Sequence, residues 1–251
     1  EAKVNPNRAV YSALADVYYD LLKDIIKAKV KESLHANPGN EWLYDTQDLN
    51  QYSEHARVTE AFLQKDASDN YPVLVIRSPI RIEWTSTVAR DIFGIAMDLP
   101  KDARVINISA DLAIEGEDKD PVPPCTAYIR VIDAAVIRIR SVDLDKSEEI
   151  KDLETVFNFT TDLSLLHAAL VASGIVPPSF EGRKDITLQE ILEKLVGKGK
   201  GIELVTRVST QNWRIPKGSG LAVSTMLLAT MNMALTKFTG QLGVTPEEIK
   251  A

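Results

Sequence analysis

Residues 106–142 read INISADLAIEGEDKDPVPPCTAYIRVIDAAVIRIRSV, and how the two ends of this stretch pair decides the fold. From Ile106 to Ile114 the apolar residues Ile106, Ile108, Ala110, Leu112 and Ile114 alternate with Asn107, Ser109, Asp111 and Ala113. A two-residue period of this kind belongs to a strand with one wet face. Residues 127–142 repeat it, with Ile129, Val131, Ala135, Ile137 and Ile139 on one side and Arg130, Arg138 and Arg140 on the other. Two long strands joined by one turn-like loop predict an antiparallel hairpin. The loop, residues 115–125, carries Glu115, Glu117, Asp118 and Asp120 against Lys119, followed by Pro121, Pro123 and Pro124. Charge and proline keep such a segment out of a core, so it is expected to project.

Working outward, YPVLVIRSPIRIEW is strand material broken by Pro79, and GIELVTRVS is a further strand. Strands are therefore expected around residues 72–84, 103–115, 125–142 and 202–209. The acidic stretch Asp143 to Glu154 is expected to end the sheet region. An arm over residues 1–7 precedes a long helix over 8–35, in which Leu14, Tyr18, Leu21, Ile25 and Ala28 recur at steps of four and three. Further helices are predicted around 54–64, 86–98 and 161–173. Thr187 with Glu190 fits a capping box ahead of Leu188, Ile191, Leu192 and Leu195, and Gly197 stands where that helix should stop. The uncharged run Gly218 to Thr236 is read as a buried helix, because its serines, threonines and asparagine make it too polar for a membrane span. TPEEIKA at the end is read as a short helix. The fold class expected is α+β: a single domain over 1–251, a largely antiparallel sheet with a long hairpin, and helices packed on one face.

Composition narrows the chemistry. Of 251 residues, 45% are hydrophobic and 26% charged, which suits a folded globular chain. The net charge of -7 opposes a surface that coats nucleic acid throughout, while leaving room for a local basic patch. Cys125 stands alone, so no intrachain disulfide forms, and with only His35, His55 and His167 a Cys/His zinc site lacks ligands. No metal or cofactor is expected, although carboxylate-only sites for magnesium or calcium stay open and no run has EF-hand spacing. EAKVNPNRAV lacks the basic start and apolar core of a signal peptide, so a cytoplasmic or virion location is favoured.

Two segments invite a ligand. Residues 197–220, GKGKGIELVTRVSTQNWRIPKGSG, place glycine-lysine pairs on both sides of a strand. A P-loop needs its lysine followed by serine or threonine and then a helix; Lys198 and Lys200 are each followed by glycine and then by a strand. Lys217-Gly218-Ser219-Gly220 comes closer, since a helix follows whose free N–H groups and dipole attract anions. Lys198, Lys200, Arg207, Arg214 and Lys217 form a local excess of positive charge around Trp213. This combination suits single-stranded nucleic acid or a phosphate ligand. For an enzyme the inventory is thin: no G-x-S-x-G, H-E-x-x-H, G-x-G-x-x-G or C-x-x-C occurs. His167, in SLLHAAL, reads as a satisfied structural histidine.

The leading expectation is thus a non-enzymatic structural protein that self-assembles as a homo-oligomer, such as a shell or virion component. It rests on the N-terminal arm, the projecting hairpin and the Met-containing uncharged helix. The alternatives are a nucleic-acid or phosphate-ligand binder using residues of 197–217, and an enzyme with a carboxylate- or histidine-based site. No membrane partner is expected.

Overall fold

The computed structural model describes residues 58–85, 105–209 and 215–250, the last span without 210–214 before it and without 217, 218, 220, 222, 241 and 244; all lie in the compact unit Asp48–Ala251. The expected arm, the helix over 8–35 and the helix over 86–98 fall outside the described residues. The protein is α+β, built on a mixed sheet of six strands.

The strands are β1 (Val73–Ser78), β2 (Ile80–Thr85), β3 (Val105–Ala110), β4 (Cys125–Ile132), β5 (Ile137–Ser141), β6 (Lys146–Ile150), β7 (Gly201–Val208) and β8 (Ile249–Lys250). The large sheet has the order β6-β5-β7-β4-β1-β8, and β2 with β3 forms a separate two-stranded ribbon. β5 and β7 run parallel; every other neighbouring pair is antiparallel. The described helices are α1 (Glu60–Leu63), α2 (Leu153–Val156), α3 (Ser164–Ala172), α4 (Leu188–Val196) and α5 (Val223–Phe238).

The hairpin read from residues 106–142 does not form. β3 pairs with β2, Ile108 opposite Ile82, while β4 pairs with β1 and β7. Both isoleucines of that cross-strand pair are exposed, at 52% and 41%, so at Ile108 the stripe expected to face a core does not, while Ala110, Leu112 and Ile114 are half-buried. Only a single bridge, Leu112 to Val122, ties the two arms of the acidic loop together. Within the loop, Gly116 takes φ +82°, and the Asp118 carboxylate accepts a hydrogen bond from the Ile114 N–H at 2.7 Å.

Residues 127–142 are likewise two strands. The chain turns sharply after Ile132, with the Val136 N–H bonded to the Ala134 carbonyl at 2.8 Å, and β5 emerges on the far side of β7. The crossing passes directly over Gly201, where a Cβ would sit 2.0 Å from the Val136 oxygen. Glycine there is what lets two strands contiguous in sequence straddle a third. β6 was unexpected because KSEEI has no apolar period; as an edge strand it is protected by charge rather than by burial. The C-terminal segment also departs from expectation. Pro246–Glu248 form one 3-10 turn, and Ile249–Lys250 then join β1 as an edge strand. The Lys237 ammonium pairs with Glu248, and that cation holds the Glu248 carboxyl below its usual range.

One face of the sheet carries the core. Cys125, Ala127, Ile129 and Val131 on β4 are essentially inaccessible, as are Leu74, Ile137, Ile139, Ile202 and Leu204 on its neighbours. Burial of this kind contributes roughly 25 cal/mol per Å² of apolar surface. α5 packs on β4 and β1 through Met231, Ala234, Leu235 and Phe238, all inaccessible, while its Met233 stays 46% exposed. The helix is therefore buried along one stripe rather than all round, and no described helix is long and apolar enough to cross a membrane. α4 begins as read: Thr187 accepts from the Glu190 N–H, and the Glu190 carboxylate accepts from the Thr187 N–H at 2.7 Å.

Candidate functional site

The feature with room for a ligand lies where the sheet, α3 and the start of α5 meet. The carboxyl ends of β5 and β7 supply Ser141, Asp143 and Val208, and the approach to α3 supplies Asp162 and Leu165. The other wall is the strap Ile215, Pro216, Ser219 and Leu221 leading into Val223, Ser224 and Leu227 of α5. Together they enclose a crevice of about 500 Å³, the size of a small-molecule site. Its walls are mostly apolar, and its polar groups converge from two directions.

On the helix side, Ser219 and Ser224 are exposed at the N-terminus of a sixteen-residue helix. The positive end of the helix dipole favours an anion there, while the Ser219 N–H is bonded to the Pro216 carbonyl at 3.2 Å. On the sheet side, Asp143 accepts from the Val208 N–H at 2.6 Å through Oδ2, while its Oδ1 is buried without a partner. A buried acceptor left unmade is costly, so a donor from a ligand would be welcome there. Asp162 is 3.6 Å from Lys146, which partly offsets its charge. No group of three or more metal-ligating side chains occurs among the described residues.

Among the described residues, the basic side chains read from the sequence, Lys198, Lys200 and Arg207, do not converge. Lys198 is exposed in the turn ahead of β7, and Lys200 lies over the Tyr71 ring at 5.2 Å. That ring is also faced by Lys65 at 5.0 Å, and the Tyr71 hydroxyl donates to Asp133 at 2.9 Å. Lys65 in turn binds Asp133 at 2.8 Å and Asp69 at 3.0 Å, an arrangement that raises the Lys65 pKa and lowers that of Asp133. Lys200 is thus engaged in a structural knot. Arg207 lies near the other end of β7, six strand residues beyond Gly201, or about 20 Å away. Trp213, Arg214 and Lys217 fall outside the described residues. Asp143, Asp162 and Ser224 were missed because their meeting depends on strand order, which spacing does not reveal.

His167 is inaccessible, with Nδ1 3.1 Å from the Val156 carbonyl and Nε2 3.2 Å from Glu148. It faces structural partners rather than the crevice. Cys125 is equally buried, and burial pushes its thiol up to about 11, which suppresses the nucleophilic thiolate.

No family model matches the chain. It is similar to the L-fucokinase/L-fucose-1-P guanylyltransferase of Bacteroides fragilis. The two are 27% identical over 171 residues, which is 65% of this chain and 16% of that protein. The chain therefore matches a small part of a much longer relative.

Proposed function

We propose that this chain is a phosphate-ligand-binding domain whose crevice beside α5 holds a phosphorylated sugar or a nucleotide. The observation that carries the reading is the position of the 500 Å³ crevice at the start of a long helix, with Ser219 and Ser224 in its lining. Helix N–H groups take the phosphate, apolar walls from Leu165, Val208 and Leu227 take a ring, and Asp143 Oδ1 takes a hydroxyl or ring N–H. The relative's name supports the same ligand class, since it states a kinase and a guanylyltransferase acting on L-fucose and its phosphate. This is the phosphate-ligand form of the alternative drawn from residues 197–217, centred on the start of the helix rather than on Lys198 and Lys200.

Calorimetric titration with ATP, GTP, L-fucose 1-phosphate and inorganic phosphate tests it. At least one organic phosphate is expected to bind more tightly than phosphate alone, and Ser224→Asp is expected to weaken it tenfold or more by placing a negative charge at the dipole's positive end. Silence toward every ligand, or binding indifferent to Ser224→Asp, would remove the reading.

Self-association remains a second proposal, as for a structural homo-oligomer, but it no longer leans on a paired ribbon. What favours it is the open face of the sheet, where half-buried Tyr128 and Val205 sit among arginines. Aromatic and arginine side chains around an apolar floor are typical of protein contacts.

A further inference from the structure

We propose that the open face of the sheet receives the acidic loop 115–120 of a second copy of this chain; the inference rests on the self-association reading and names the contact that makes it. Alternation assigns the face. Because Leu74, Ile129 and Leu204 share a register on the core side, Val75, Tyr128 and Val205 lie across from one another on the opposite side, with Arg140 next to Val205 on β5. One step along, Arg77, Thr126 and Arg207 share the next row, and on the other flank Glu149, Arg138, Glu203 and Arg130 form another. Val75 and Thr126 are buried, at 8% and 4%, so the face is open around Tyr128, Val205 and the arginines.

These rows differ in charge state. The Glu149 row neutralises itself: Arg130 binds Glu203 at 2.6 Å, and Arg138 lies 3.2 Å from Glu149 and 3.8 Å from Glu203. Arg77 and Arg140 are exposed, and no described side chain pairs with either. On this face lies a groove of about 330 Å³ floored by Val73, Tyr128, Val142 and Val205 and edged by Arg130, Glu203 and Arg207. In a chain of net charge -7, this is a positive face with an apolar floor.

The complementary object is on the same chain. Glu115, Glu117 and Asp120 are exposed at the tip of a loop whose stem is closed by the Leu112–Val122 bridge, and they too pair with no described residue. Arg77 and Arg140 stand on strands three places apart, about 14 Å at the backbone. Carboxylates on both flanks of one loop can reach both. Matched charge steers such encounters and fixes their register. Because loop and face are different surfaces, the contact is head-to-tail and propagates into a ring or an open chain.

Sedimentation velocity at about 50 mM and about 500 mM salt reads this directly, since exposed charges are largely screened at the higher value. The expected result is a mass above 27.8 kDa at low salt that falls to the monomer at high salt. Arg77→Glu with Arg140→Glu, and separately Glu115→Lys with Glu117→Lys and Asp120→Lys, should each weaken association at least tenfold. Mixing the two charge-reversed proteins should restore it, since each then offers what the other lacks. All these positions are exposed, and circular dichroism melts verify that the variants fold. An oligomer that ignores both sets of substitutions overturns this contact while leaving self-association standing; a monomer at every concentration overturns both. If the monomer instead binds an oligonucleotide and loses it with Arg77→Glu and Arg140→Glu, the face serves nucleic acid and the contact is likewise overturned.

Discussion

The two faces of the large sheet are made by the same strands and could hardly differ more. Toward α5 the side chains of Ala127, Ile129 and Val131 are sealed, whereas their neighbours Tyr128 and Arg130 on the other side remain reachable. One face is held by burial, the other by ion pairs, and burial is much the stronger. Stability is thus concentrated on one side.

The sharpest way to break the contrast is to truncate a sealed side chain on the core face. Ile129→Ala is expected to cost about 4 kcal/mol in chemical denaturation, since its cavity is enclosed on all sides. The core face also carries the pH test. Cys125 is raised from 9.0 to about 11, so the folded state prefers the protonated thiol. The stability this gives is complete below about pH 9 and lost as pH rises through about 11, with a loss of roughly 2 kcal/mol expected by pH 11. Cys125→Ala should flatten this part of the curve relative to the unaltered chain, and an unchanged slope would show that the thiol is not desolvated. The smallest effect belongs to the open face. A double-mutant cycle on Arg130 and Glu203 is expected to give about 1 kcal/mol or less, because the arginine is 45% exposed even though Glu203 is 15% exposed. A larger coupling would mean the open face is not open.

The same contrast explains what could be read from the sequence. The capping box at Thr187, the strands on either side of Pro79 and the helix over residues 223–238 are local, and each follows from a few adjacent residues. The arginine alternation at 130, 138 and 140 correctly marked a wet face. The break at Asp133 was not legible, because it depends on Gly201, nearly seventy residues away, leaving room for the crossing. The hairpin failed for the same reason: β3 and β4 have the right pattern for pairing, but each has a better partner elsewhere. At the site, Ser219 lies in a segment that stood out from spacing alone, whereas Asp143 and Asp162 reach the crevice only through strand order and the turn before α3.

Amide chemical-shift mapping during titration with GTP or L-fucose 1-phosphate bears most directly on the phosphate crevice. Perturbations are expected at Ser219, Ser224 and Leu227 on the helix side and at Asp143 and Val208 on the sheet side, saturating with ligand. Shifts confined to Tyr128, Arg140 and Arg207 on the open face, or no saturable shifts at all, would contradict it.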